Sequence, residues 1–124
     1  MHTGRILLVD DDPDHLLISS TILRAQGYNT ASLPGCDDMA VLLDLIGDFR
    51  PDLILMDHDM KGFCGTDLTR MLKSHADFDA IPIIYFSGRE DIVQIAETSG
   101  ADGYLSKPFK SPDLVEMVGK YLPV

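Results

Sequence analysis

The sequence predicts an α/β domain: a doubly wound, five-stranded parallel sheet with strand order 2-1-3-4-5 and helices on both faces. Two observations carry this. Short apolar runs alternate five times with stretches of helical periodicity, joined by short links, which is the pattern of repeated βα units. The runs also differ in kind. Residues 6–9, 53–56 and 83–86 are continuously apolar and suit the doubly buried middle of a parallel sheet, whereas 29–32 and 103–106 are polar or short and suit its edges. Right-handed crossovers then favour the stated order, and they place the reversal of chain direction between strands 1 and 3.

Each element has a local reason. Strand 1 ends in Asp10, Asp11 and Asp12, and Pro13 opens a helix whose apolar face takes Leu16, Leu17, Ile18, Ile22 and Leu23 before Gly27 stops it. Asp12 is assigned to the helix cap, and Asp14 to a favourable charge in the first turn. After the polar second strand, Leu33-Pro34-Gly35 turns into a helix expected over residues 36–46, with Met39, Leu42, Leu43 and Ile46 at helical spacing and Gly47 as its stop. Strand 3 follows Pro51 and terminates in Asp57. A helix over residues 66–75 carries Leu68, Met71 and Leu72, and strand 4 ends in Ser87-Gly88-Arg89. Ile92, Ile95 and Ala96 mark a short helix stopped by Gly100. Strand 5 leads into Lys107-Pro108-Phe109, and Leu114, Met117, Val118 and Tyr121 line the last helix.

At 124 residues the chain is expected to be one domain, 1–124, with enough length to bury a core. A net charge of -10 argues against direct nucleic-acid or anionic-membrane contact. Cys36 and Cys64 lack metal-ligand spacing and are expected to be free thiols; no apolar run approaches the ~20 residues of a membrane span, and a cytoplasmic location is expected. His15, His58 and His75 have no zinc spacing and are expected at the surface.

The rim formed by strands 1 and 3 gathers Asp10, Asp11 and Asp57 in the crevice where doubly wound sheets bind ligands. Converging carboxylates repel one another, so a cation belongs there. Oxygen-only ligands at a shallow rim suit Mg²⁺, which keeps waters and is held by one or two carboxylates plus phosphate oxygens. Ser87 brings a hydroxyl and Lys107 a compact cation to neighbouring strand ends. This set suits attack of Asp57 on an activated phosphoryl donor, giving an aspartyl phosphate.

The motifs Ile6-Leu-Leu-Val-Asp-Asp-Asp12, Pro51-Asp-Leu-Ile-Leu-Met-Asp57, Phe86-Ser-Gly88 and Tyr104-Leu-Ser-Lys-Pro-Phe109, in this order, resemble those of the receiver (response regulator) domain of two-component signalling, chemotaxis-regulator-like. The resemblance extends from Arg5 to about Leu122. It implies a flavodoxin-like (βα)₅ fold, Asp57 as phosphoacceptor, Asp11 as direct metal ligand, Asp10 acting mainly through a metal-bound water, and a main-chain carbonyl of Asp59 on the metal. Ser87 and the Gly88 amide would meet the phosphoryl group, Lys107 would pair with it, and Tyr104 would swing inward with Ser87. The implied partners are a histidine kinase or phosphotransfer protein, and a downstream protein target or output domain. The helix 4–strand 5–helix 5 face would switch, with Val93 and Val115 beside it offering a small patch for a partner or a weak homodimer, or else merely widening the buried stripe. The chain departs from the family at Lys61, where proline is usual, and Asp59 and Arg89 are expected to pair across the mouth and set the phosphoryl lifetime. Two other functions compete. Asp57-His58-Asp59 also fits a haloacid-dehalogenase-type phosphohydrolase, although there is no room for a cap domain, and the fold alone fits a phosphorylation-independent scaffold.

Overall fold

The computed structural model describes residues 4–34, 39–58, 65–88, 90–107 and 109–122. Five strands, β1 (Arg5–Val9), β2 (Asn29–Leu33), β3 (Leu53–Asp57), β4 (Ile83–Ser87) and β5 (Gly103–Ser106), alternate with helices α1 (Pro13–Ala25), α2 (Met39–Phe49), α3 (Gly65–Lys73), α4 (Ile92–Ser99) and α5 (Ser111–Tyr121). All strand pairs are parallel and the order is β2-β1-β3-β4-β5. The continuously apolar strands thus lie inside and the polar ones at the edges, because only the inner strands are covered on both faces and flanked on both sides.

Alternation along each inner strand divides the core in two. Leu7, Val9, Ile54, Met56, Ile83 and Tyr85 face α2, α3 and α4. Ile6, Leu8, Leu53, Leu55, Ile84 and Phe86 face α1 and α5. On the first side the Tyr85 hydroxyl is buried between Thr69 Oγ1 of α3 at 2.5 Å and Ser99 Oγ of α4 at 2.9 Å, so a polar atom in the core is satisfied by the two helices it separates.

Three local expectations need correction. On α1 the buried positions are Leu16, Ser19, Ser20 and Leu23, while Leu17 and Ile18 are exposed. The stripe narrows because small serines, rather than a wide apolar band, face the sheet. Helix α2 does not stop at Gly47 but runs to Phe49, closing where the Arg50 amide donates to Ile46 O at 2.9 Å with Arg50 at φ 53°. Exposed Gly47 has nothing packed against it, and Pro51, which cannot continue the helix, sets the end instead. Helix α3 starts one residue earlier than expected and ends at Lys73 rather than residue 75. Two other helix-end expectations hold: Asp12 caps the start of α1, accepting from the Asp14 amide at 3.0 Å and the His15 amide at 3.4 Å, and Gly100 ends α4 at φ 91°.

Two phenols pin the end of α5. Tyr28, just before β2, donates to the Leu122 carbonyl, and Tyr121 donates to the Asp102 carbonyl at 2.9 Å. Burial raises both phenols above 10.0, aided at Tyr121 by the Asp102 charge. A group whose folded pKa is raised contributes stability below its unfolded pKa and loses it as pH climbs through the folded value. A phenolate cannot donate. We therefore expect melting temperature to decline above about pH 10 as these bonds, worth about 0.5–1.5 kcal/mol each, are lost, and the Tyr28→Phe/Tyr121→Phe protein to show a smaller alkaline decline in thermal melts.

Candidate phosphoryl-acceptor site

Four strand tips meet on one rim, and the backbone ladder aligns them. The Asp10 amide donates to Leu33 O at 3.1 Å, the His58 amide to Phe86 O at 3.0 Å and the Lys107 amide to Ser87 O at 2.9 Å, which carries sheet pairing one residue past each strand end. Asp57, the last residue of β3, and Asp10, the first after β1, are both buried, whereas Asp11 is exposed. Oxygens from Asp10, Asp11 and Asp57 lie within 4.8 Å of one another. Lys107 Nζ stands 3.3 Å from Asp57 Oδ2 and 3.8 Å from Asp10 Oδ2. Among the described residues one ammonium faces three carboxylates, and hard oxygen donors at this spacing are compatible with a divalent cation such as Mg²⁺.

Asp10 is the most heavily engaged of the three among the described contacts. Burial alone would push its carboxyl upward. The hydrogen bonds from the His15 ring and from the Asp12 amide at 2.9 Å, with the Lys107 charge, outweigh that and hold it below the usual carboxylate range.

Ser87 is 0% exposed at the end of β4, in register with Ser106 of β5. Gly88 is exposed, and a Cβ there would come no nearer than 4.0 Å to Lys107 O, so the space does not by itself demand glycine. Tyr104 is 37% exposed on edge strand β5, opposite Tyr85. The structure therefore brings Asp10, Asp11, Asp57 and Lys107 together, with Ser87 on the adjoining tip, and leaves Tyr104 at the outer edge. Asp59, Lys61 and Arg89 lie outside the described residues.

Two histidines expected at the surface are elsewhere. His58 is buried, with Nε2 3.0 Å from Thr66 Oγ1 and its ring 5.0 Å from that of Tyr85. His15 reaches back from the first turn of α1 to the Asp10 carboxylate. The signal for His15 is its place just after the Asp12 cap, from which a side chain tilts toward the helix N-terminus and hence toward the rim. Spacing alone does not say whether it meets the rim or solvent.

Fold and rim define a flavodoxin-like module that presents an acidic, cation-compatible crevice opposed by a lysine. A family model described as the response regulator receiver domain matches residues 6–119. The DNA-binding response regulator MtrA of Mycolicibacterium smegmatis is 36% identical over 116 residues, covering 92% of this chain and 48% of MtrA. The polar-differentiation response regulator DivK of Brucella ovis is 30% identical, covering 97% of each protein. The receiver domain of a sensor histidine kinase from Pseudomonas aeruginosa PAO1, solved with a magnesium ion coordinated in its active-site cleft, superposes with a TM-score of 0.82 at 25% identity, over 99% of this chain and 100% of that one. The chain belongs to the response regulator receiver domain family and is a phosphoacceptor signalling module of two-component systems. It spans about half the length of the MtrA relatives. Among the described residues, no helix is long and apolar enough to cross a membrane.

Proposed function

We propose that Asp57 takes the phosphoryl group. The observation that carries this is the buried Asp57 carboxylate with Lys107 Nζ 3.3 Å from one oxygen and the Asp10 and Asp11 oxygens within 4.8 Å. A carboxylate oxygen of Asp57 attacks phosphorus, the new P–O bond forms, and the bond from phosphorus to the donor breaks with its electron pair leaving on the donor's imidazole nitrogen or acetate oxygen. Asp10, Asp11 and Asp57, with the Asp59 carbonyl, are the proposed holders of Mg²⁺, which when bound offsets charge on the phosphoryl oxygens. Lys107 supplies a second positive group to the same oxygens. Self-catalysed transfer and slow self-dephosphorylation are the only chemistry proposed.

The Ser87 hydroxyl then donates to a phosphoryl oxygen, with the Gly88 amide beside it. A hydrogen bond to a charged acceptor is worth about 1.5–3 kcal/mol, about 10- to 150-fold in an equilibrium, which biases a near-balanced switch but cannot drive a remote one. Tyr104, outward in this structure, is the proposed mobile partner, so the α4–β5–α5 face reports the state. The phosphoryl source is a histidine kinase or phosphotransfer protein in the cytoplasm, and the reader is a protein target, an attached output domain or a second copy of the chain. MtrA is named as DNA-binding; with a net charge of -10 this receiver would leave any nucleic-acid contact to a separate module.

Incubation with acetyl phosphate and Mg²⁺ should add one phosphoryl group per chain by intact mass, as a base-labile acyl phosphate, and EDTA should prevent it. Repeated release of phosphate from small phosphomonoesters would mark a hydrolase instead, and failure to take up label would mark a scaffold.

A further inference from the structure

His15 stands so far only as a hydrogen-bond partner of Asp10, yet three parts of the rim converge on its ring. Nδ1 bonds to Asp10 Oδ2, the oxygen that also faces Lys107. The ring edge meets Phe86, the residue before Ser87, at 5.5 Å and 85°, and Phe109, just beyond the Lys107 loop, at 5.4 Å and 72°; the two phenyl rings are themselves 5.1 Å apart. The side chain is 18% exposed and that of Asp10 only 4%. On the far side, Nε2 is buried with no hydrogen-bond partner among the described residues, as is Ser19 Oγ one turn along α1, in a small pocket walled by Leu8, Leu16, Leu55 and Phe86.

That arrangement carries a cost: a buried polar atom left unsatisfied costs about 1–3 kcal/mol, which a phenyl ring between Phe86 and Phe109 would avoid only by giving up the bond to the Asp10 carboxylate, itself worth about 1.5–3 kcal/mol. What the imidazole offers and a phenyl ring does not is a donor to Asp10. The Asp12 amide holds Asp10 Oδ1 at 2.9 Å and His15 holds Oδ2, so the carboxylate plane is gripped at both ends. A free carboxylate turns readily about its last torsion, and one clamped at two points presents a fixed oxygen toward Asp11 and Asp57.

We propose that His15 is a positioning residue for the cation: through its Nδ1–H it fixes the Asp10 carboxylate in the orientation that completes the Mg²⁺ site. The inference rests on the reading of the rim as a Mg²⁺ site. Loss of such a supporting partner typically lowers metal affinity about 10- to 100-fold. Asparagine can place an amide N–H close to the position of Nδ1, and phenylalanine cannot.

Calorimetric titration of the full chain with MgCl₂, with melting temperatures measured in EDTA, separates the roles. His15→Phe should bind Mg²⁺ about 10-fold more weakly than wild type while still melting cooperatively in EDTA, and His15→Asn should stay within about threefold of wild type. Should the phenyl ring fail to seat, His15→Leu carries the same expectation as His15→Phe. Unchanged or tighter binding by the apolar variant overturns the inference, as does equal weakening by apolar and asparagine variants. If wild type binds no Mg²⁺, the reading of the rim falls and this inference with it, whereas a wild-type site that is indifferent to position 15 removes only the role of His15.

Discussion

Asp57→Asn should take up no phosphoryl group from acetyl phosphate and Mg²⁺ under conditions that load wild type fully, because a carboxamide offers no anionic oxygen to phosphorus. The substitution should do this without unfolding the protein. Asp57 is attracted by Lys107 at 3.3 Å and repelled by Asp10 and Asp11, whose oxygens lie within 4.8 Å. At an effective dielectric near 20 the Lys107 attraction and the Asp10 and Asp11 repulsions are each a few kcal/mol, and two repulsions at least offset the one attraction, so neutralising Asp57 should not lower stability. Intact mass after acetyl phosphate treatment, beside a urea titration of the same sample, checks both halves. Full labelling of the variant would move the acceptor to another residue.

Ile54→Ala should cost about 2–5 kcal/mol, a large part of the roughly 5–15 kcal/mol that holds a domain together. Ile54 is fully buried on β3, the central strand of the sheet, paired in register with Leu7 on one side and Ile83 on the other, and these neighbours cannot all close over the hole. Val41 on α2 is the control. It is 50% exposed, and Val41→Ala should change stability by no more than about 0.5 kcal/mol. Urea midpoints with unchanged slopes would report this contrast; a small effect at Ile54 would mean that the inner strands tolerate voids.

The sheet was legible because strand burial is written directly into composition. The runs at Ile6, Leu53 and Ile83 contain no polar residue, and such strands are stable only between two covering layers, which fixes them inside. The rim carboxylates were legible for a related reason, since a charged residue that ends an apolar run has nowhere to go but the rim; Lys107 follows a short edge strand and was placed by the alternation of strands and helices instead. Helix faces were less legible. Leu17 and Ile18 read as part of a core stripe, but Ser19 and Ser20 are what α1 buries, because closeness of approach to the sheet matters there more than apolar area. The end of α2 was misjudged because a glycine does not stop a helix that still has carbonyls to satisfy and a proline further on. His15 and His58 were misplaced because a lone histidine carries no period, and its environment is set by elements distant in the chain.

The β2-β1-β3 order has a consequence for how the protein is made. Strand β1 is the first to leave a ribosome, but its inner neighbour β3 follows only after β2 and the whole of α2. Until then one edge of β1 has no partner, and pairing across that crossover requires closing a long loop, which is slow. The nascent domain therefore carries an open apolar strand until β3 emerges, and Asp57 joins the Asp10–Asp11 pair in the step that closes this edge. Closure of the inner edge of β1 and assembly of the three carboxylates are one event, so a chain interrupted before β3 would have neither.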